Sequence, residues 1–254
     1  MTGERGTGGS ARSRTGSGPA MTSLAAERAA RLLALAAAAL SGAGLFAVSE
    51  AGYASFSRLA VEVALPAVGA LALIGIVATT ADWRGLRRTL VAGVGVGIVA
   101  TASLELVRIV GFREFHAMPG SMPMLMGVLL TNRIMVGPDL ASNVLGWVDH
   151  AYNGVALVLI YLLLFGRRQA WLAVPYALLV GTGFLVSPVP KALGAGFFGA
   201  ALGAKFAITV YLAHVSFGTA MFLGVRRARD LGKPLLPLPG TGPNARRPHV
   251  RRAG

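Results

Sequence analysis

Charged residues inside apolar segments are the residues of this sequence that could do chemistry. Glu105 and Arg108 lie three positions apart in one such segment, so they share a helical face and are spaced to form an ion pair. A charge at the centre of a membrane helix costs about 2.5–3.5 kcal/mol on insertion scales. Each such residue is therefore expected to be paired with another group or to have a function. The pair is either a structural link between helices or a functional carboxylate beside a cation.

A second apolar segment carries several polar groups on one side. His150, Asn153, Gly154 and Tyr161 fall at positions i, i+3, i+4 and i+11, which is one face of a helix. Asp149 points about 100° away from that face and is predicted to lie near the outer headgroups. A membrane histidine is either a hydrogen-bonded packing residue or a functional group, and its shared face with Asn153 favours neither reading over the other.

Two further segments add polar groups to this set. Tyr211 and His214 are three positions apart, and Gly218 follows His214 by four. Glu62 stands near the start of another apolar segment, four positions before Pro66. Because Glu62 is close to a helix end, its side chain could reach the membrane interface without any functional role.

These residue types support more than one kind of chemistry. His116, His150 and His214 with Glu105 or Glu62 include ligands for zinc, iron or copper. No two of them are spaced i, i+4 on one helix, so the pattern predicts no metal site. A histidine–carboxylate pair could instead act as general acid and base on a lipid-like or isoprenoid substrate.

The sequence therefore gives a candidate site with two kinds of role. The predicted catalytic residues are Glu105, His150 and His214. The predicted ligand-binding residues are Arg108, His116, Asn153 and Tyr161. A proton or ion path is less favoured, since the inner halves of the apolar segments are almost bare of polar groups. The cofactor and the oligomeric state are left undetermined by the sequence.

The elements that must position these residues are membrane helices. The chain is 54% hydrophobic and 13% charged over 254 residues, whereas soluble domains are about 25% charged. Its apolar residues occur in blocks near the roughly 20 residues that cross a bilayer. The net charge of +14 comes from basic residues at block ends and in the tails, which favours lipid headgroups over nucleic acid. The absence of cysteine excludes disulfides and thiolate chemistry.

The predicted fold is an all-α integral membrane domain between two tails. Residues 1–24 are predicted to be a disordered cytoplasmic tail, residues 25–225 the membrane domain, and residues 226–254 a basic cytoplasmic tail. The six predicted spans are residues 29–49, 59–80, 89–110, 143–165, 171–187 and 206–225. Glycines in the third span are expected to allow close helix approach: Gly93, Gly95 and Gly97.

The distribution of Lys and Arg predicts that both termini are cytoplasmic. With six spans, 18 of the 24 basic residues lie on the inner side. A seventh crossing through residues 122–136 would place Arg167, Arg168 and the basic tail outside, against this bias. The irregular stretch 111–142 is therefore predicted to hold a re-entrant or interfacial piece. It could cover an outer-half polar centre formed by Glu62, Glu105, Arg108, His150, Asn153 and His214.

Two sequence motifs resemble a known group of proteins. They are MLMGVLLTNRIMVGPDLASNVLGWVDHAYNGVALVLIYLLLFG and the later AHVSFG. Together they resemble an uncharacterised family of bacterial polytopic membrane proteins with a His-x-x-Asn-Gly helix, a domain of unknown function. The resemblance covers about residues 118–224 and implies topology without an assigned activity. The matching positions are His150, Asn153, Gly154, His214 and Gly218. This chain differs in having Val148-Asp149 before His150, where aromatic residues are commoner.

The sequence thus predicts a six-helix protein of a bacterial inner membrane, with the lipid bilayer as its partner and no nucleic acid. The leading functional hypothesis is binding or modification of a lipid-like or small amphipathic ligand at an outer-leaflet polar centre. Two alternatives remain open, a small transporter and a structural or assembly membrane protein. In the latter the polar residues would only hold helices together.

Overall fold

The computed structural model describes residues 19–236, with side chains from residue 23 onward, and most of this range is helical. No strand occurs in that range. Six of its helical stretches are long and apolar enough to cross a membrane, which confirms the predicted all-α multi-pass class. They are Ser23–Glu50, Phe56–Thr80, Arg84–Arg113, Leu140–Leu164, Arg167–Val186 and Ala204–Arg227.

The helices differ in detail from the predicted spans. The α-helices are α1 (Pro19–Ser41), α2 (Gly44–Glu50), α3 (Phe56–Leu59), α4 (Leu65–Thr80), α5 (Arg84–Arg113), α6 (Met122–Leu130), α7 (Leu140–Leu164), α8 (Ala173–Val186), α9 (Pro188–Ala192) and α10 (Ala204–Arg227). Helix α1 begins inside the segment 1–24 that was predicted to be disordered. Residues 1–18 of that segment, and 237–254 of the predicted C-terminal tail, lie outside the described residues.

Proline explains an irregular turn between α3 and α4. Pro66 has no backbone N–H, and its ring would clash with the carbonyl group of Glu62 in a regular α-helix. The chain widens into a π-helical turn at Ala60–Ala64 just before it. The helical stretch therefore continues from Phe56 to Thr80 with a local bulge rather than a break.

Small residues bring the central helices α5, α7 and α10 together. A β-carbon on Gly97 would lie 2.5 Å from Cα of Val155, and one on Gly93 would lie 2.2 Å from Cδ2 of Leu159. Gly97 is therefore needed where α5 crosses α7 antiparallel, because it faces backbone, whereas a side chain at position 93 would require Leu159 to move. Gly95 differs from the prediction, because no described atom lies within 4 Å of where its β-carbon would be. Helix α8 packs along α10, and α1 packs against α4 and α7.

Helix α6 is the short apolar piece within the irregular stretch. It has nine residues, about 14 Å of helix, and so is less than half as long as a hydrocarbon core of about 30 Å is thick. It lies backbone to backbone against the start of α7, since β-carbons on Gly127 and Gly146 would lie 1.8 Å from the Ser142 carbonyl oxygen and 1.9 Å from the Pro123 carbonyl oxygen. A helix this short cannot itself form a seventh crossing.

The beginning of the predicted C-terminal tail packs onto the helices. The backbone N–H groups of Leu235 and Leu236 donate to the carbonyl oxygens of Leu163 and Leu164 at 2.8 and 2.9 Å. These acceptors are at the end of α7, where helical carbonyls otherwise have no partner in the helix. The side chains of Leu231 and Leu235 also pack against the hydrophobic core, although the sequence analysis assigned this segment to the basic tail.

Candidate functional site

The capped start of α7 sets the position of His150. The Asp139 carboxylate accepts a hydrogen bond from the backbone N–H of Ser142 at 2.8 Å, and the Ser142 hydroxyl accepts one from the N–H of Asp139 at 2.8 Å. That backbone bond holds the pKa of the Asp139 carboxyl below its usual range. With the helix start fixed and Gly146 docked on α6, His150 is directed toward α5.

Three side chains meet at one carboxylate oxygen between α5 and α7. His150 Nε2 lies 2.8 Å from Glu105 Oε1, and Arg108 Nη1 contacts the same oxygen. The side chains of Glu105, Arg108 and His150 are 9%, 12% and 15% exposed. The predicted Glu105–Arg108 pair is thus present, and it continues to His150 on the neighbouring helix. Glu105 orients both partners, because one oxygen accepts from the guanidinium and the imidazole together.

A second carboxylate, that of Asp149 next to His150, is bound by the amide of Asn153 one turn further along α7. Asn153 Nδ2 donates to Asp149 Oδ2 at 3.1 Å, and Asn153 is buried. Asp149 therefore has a protein partner, although the sequence had placed it toward the headgroups. On the other side of α7 the hydroxyl group of Tyr152 bonds to that of Ser41 and joins α7 to α1.

His214 reaches the same region from α10 without joining the Glu105 cluster. Its Nδ1 donates to the carbonyl oxygen of Val210 at 2.8 Å. Its ring lies against Gly181, where a β-carbon would be 2.8 Å from the ring carbon Cγ. With the proton on Nδ1, the neutral ring presents Nε2 as a hydrogen-bond acceptor. Within residues 23–236 that nitrogen has no hydrogen-bond partner.

Arg108, His150, Asn153 and His214 line a cavity of about 380 Å³ between the helices. This volume is in the range of small-molecule sites, roughly 300–1,000 Å³. The polar side chains of the lining are Thr101, Arg108, His150, Asn153, Ser187 and His214. The larger apolar side chains are Phe46, Leu104, Met118, Met122, Met126, Leu157, Phe184 and Phe217. The cavity therefore combines a few convergent polar groups with a mainly apolar, methionine-rich wall that can adapt to its contents.

The cavity has a mouth between α2 and α8. Ala43 and Gly44 on one side and Gly183 on the other line the cavity and are also exposed. No described atom lies within 4 Å of a β-carbon built on Gly44 or Gly183. Both helical stretches belong to membrane-spanning candidates.

Two predicted ligand-binding residues lie outside the cavity. Tyr161 is on the expected face of α7, but it is 11 residues, about 16 Å, beyond His150. Its hydroxyl donates to the carbonyl oxygen of Gln169 at 2.6 Å. His116 is exposed in a left-handed turn, with φ of 47°, after α5. The structure therefore does not bring Tyr161 or His116 to the cavity, because a sequence gives the face and the segment of a residue but neither the length of a cavity nor the direction of a turn.

Glu62 also lies apart from the polar centre. Its carboxylate pairs with Arg58 Nε at 2.9 Å on the outside of the helices, and its side chain is 57% exposed. Glu62 was predicted to lie at the same membrane depth as the other polar groups. It is nevertheless distant from them, because α4, the helix that follows it, packs against α1 and α5 at the edge of the structure. Sequence reasoning in turn missed the cavity walls from α2 and α8, whose only signal was small residues at the mouth.

Within the described part of the chain, no group of three or more His, Cys, Asp or Glu side chains is placed to hold a metal ion. No protein-family model, curated protein or solved structure matches the chain. The resemblance to an uncharacterised bacterial membrane family therefore stays a prediction.

Proposed function

We propose that this protein binds a small amphipathic or lipid-like ligand in the central cavity. The observation that carries the proposal is the cavity of about 380 Å³ between membrane-spanning candidates, whose lining combines a few polar side chains with a mainly apolar wall. An amphipathic molecule matches both the polar and the apolar side chains of the lining. A fully polar solute would lose its water against methionine and phenylalanine without gaining hydrogen bonds there, which is unfavourable.

The polar residues indicate the kind of head group that the cavity accepts. Arg108 and Asn153 can donate hydrogen bonds to it, and Nε2 of His214 can accept one. A hydroxyl or carboxylic acid group offers both an acceptor and a donor. His150, oriented by Glu105, is then the group placed to take or return a proton if the ligand is modified.

The ligand enters sideways from the bilayer. The mouth between Gly44 and Gly183 opens on the apolar surface, so a lipid-like molecule reaches the cavity without crossing water. Met118, Met122 and Met126 come from the loop after α5 and from α6, and they cover the cavity on another side. Helix α6 acts as a re-entrant cover in this arrangement.

The proposed setting is a bacterial cytoplasmic membrane with both termini inside. The arginines at residues 84–88, 167–168 and 226–227 all lie at the end of the helices away from the cavity, which the positive-inside rule assigns to the cytoplasm. The cavity then belongs to the outer half of the membrane.

The chain contains no cysteine, so single cysteines can test this orientation. In spheroplasts, a membrane-impermeant maleimide is expected to label Met135→Cys, which is exposed at the cavity end, and to spare Arg87→Cys until the membrane is permeabilised. Labelling of Arg87→Cys from outside would overturn the proposed topology.

Blocking the mouth tests the ligand proposal. The variant Gly183→Leu adds a side chain where no described atom lies within 4 Å, so the fold should tolerate it while the mouth narrows. With a diazirine-bearing fatty acid as probe, we expect photolabelling of the cavity methionines in the unchanged protein. Mass spectrometry of the labelled peptides should show at least a five-fold loss in Gly183→Leu.

A matched control separates blocking from a general effect. Gly95→Leu makes the same change on α5, also into open space, but away from the cavity. It is expected to label like the unchanged protein. Equal labelling of Gly183→Leu and Gly95→Leu would overturn the proposed site. Absence of any label in the cavity of the unchanged protein would favour the structural alternative.

A further inference from the structure

A second recess lies at the other end of the helices from the central cavity. It has a volume of about 350 Å³ and is lined by Arg167, Arg168, Ala170, Trp171, Phe222 and Arg226. Helix α7 runs from the cavity toward this end, where the turn after it meets the last turn of α10. The two sites therefore share no lining residue and can be tested independently.

The guanidinium groups of this basic recess are held in position by the protein. Arg167 Nε donates to the backbone carbonyl oxygen of Arg226 at 3.0 Å. The guanidinium carbon of Arg226 lies 5.3 Å from the centre of the Phe222 ring. The turn after α7 and the end of α10 are thereby joined, with both arginines at the recess.

The charges of the recess contrast with other arginines at this end. Arg31, Arg84 and Arg88 form ion pairs with Glu27, Asp82 and Asp230. Over residues 23–236, in contrast, no carboxylate lies within 4 Å of a side-chain nitrogen of Arg167 or Arg226. Carboxylates are thus placed beside several neighbouring arginines, whereas Arg167 and Arg226 have no such ion pair within the described part of the chain.

The surroundings of the recess favour a lipid as the source of an anion that would bind these arginines. Trp171 is 63% exposed at the edge of the recess, where a membrane helix meets the headgroup region. Beyond it the outer sides of α8 and α10 carry exposed apolar residues, among them Leu179 and Leu223. A phosphate between the arginines would leave acyl chains to run along this apolar surface.

We propose that this basic recess binds the phosphate group of an anionic phospholipid. Guanidinium groups recognise phosphate oxygens through charge-assisted, often bidentate hydrogen bonds. Arg167 and Arg226 supply the main contacts, Arg168 adds charge, and Trp171 packs beside the glycerol and upper acyl chain. The bound lipid joins the α7–α8 turn to the end of α10 at the membrane surface.

Lipid titration of the detergent-solubilised protein, followed by native mass spectrometry, tests this site. Dioleoyl-phosphatidylglycerol is expected to bind more tightly than dioleoyl-phosphatidylcholine. The variant Arg226→Gln should weaken phosphatidylglycerol binding about five-fold, and Arg167→Gln should do the same. Arg226→Gln keeps the backbone carbonyl that accepts from Arg167, so the recess should stay formed.

The neighbouring arginine provides the matched control. Arg227→Gln removes the same charge one residue away, from a side chain that is exposed but does not line the recess. It is expected to bind phosphatidylglycerol like the unchanged protein. If Arg227→Gln and Arg226→Gln weaken binding equally, the effect is one of general surface charge, and the proposal is overturned. Equal affinity for the two lipids would also overturn it. Displacement of the lipid by inorganic phosphate at equal concentration would assign the recess to a free anion instead.

Discussion

Replacing Gly127 by alanine is expected to detach α6 from α7 and to destabilise the protein strongly. The added β-carbon would lie 1.8 Å from the carbonyl oxygen of Ser142, which is backbone and cannot rotate away. Overpacking typically costs about 1–3 kcal/mol, and a backbone contact should put this variant at the upper end. Thermal unfolding in detergent measures the loss.

The same variant should also lose the ligand probe. Helix α6 supplies Met122 and Met126 to the cavity wall, so a displaced α6 opens the cavity. The reciprocal variant Gly146→Ala places its β-carbon 1.9 Å from the Pro123 carbonyl oxygen and is expected to behave alike. The double variant should cost less than the two single losses together, because either change already separates the helices.

A second glycine-to-alanine change serves as the control and should not lower the stability of the protein. Gly69→Ala lies on α4, with no described atom within 4 Å of its β-carbon. Alanine is favoured over glycine in a helix by about 1 kcal/mol, so this variant should be neutral or stabilised. If Gly127→Ala unfolds at the same temperature as Gly69→Ala, the close docking of α6 on α7 is wrong.

The second large effect is expected at Glu105. In Glu105→Ala the buried guanidinium of Arg108 loses its carboxylate, and His150 loses its partner as well. Removing one member of a buried ion pair costs about 3–5 kcal/mol, because a charge is left without compensation. The folded yield in detergent and the unfolding temperature should both fall.

Glu62 provides a matched control for the Glu105 prediction. Glu62→Ala also removes a carboxylate from an arginine pair, but that pair is exposed. Exposed pairs contribute about 0–1 kcal/mol, so Glu62→Ala should remain near the unchanged protein. Comparable losses in the two variants would contradict the assigned burial of the Glu105 cluster.

A paired replacement separates the structural from the functional role of Glu105. Replacing a buried ion pair as a whole by apolar residues is often neutral, so Glu105→Leu combined with Arg108→Leu should recover much of the stability lost in Glu105→Ala. The same double variant should still fail to bind the fatty acid probe, since Arg108 no longer lines the cavity. Recovery of both properties would assign the cluster to helix packing alone.

Part of the candidate site could be predicted because its members are close in sequence. Glu105 and Arg108 are three residues apart on α5, so helix geometry alone brings them together. The contact from His150 to Glu105 joins residues 45 positions apart, and only the crossing of α5 and α7 produces it. Tyr161 shares the face of His150, but helical periodicity gives direction and not the depth at which a cavity ends.

The sequence by itself determined the class of the protein. Apolar length and the placement of basic residues are local properties, and they predicted six membrane-spanning candidates, which are present. The polar residues were found on the same basis, since any charge within an apolar block is visible without knowledge of its neighbours.

Only the tertiary structure decided which of these groups share a site. It brought His150 to the Glu105 pair and His214 to the cavity, and it placed His116, Tyr161 and Glu62 elsewhere. Helix crossings are set by close backbone contacts at small residues such as Gly97 and Gly127. A sequence shows where such a residue is, but not which helix approaches it, because that depends on how all the helices pack together.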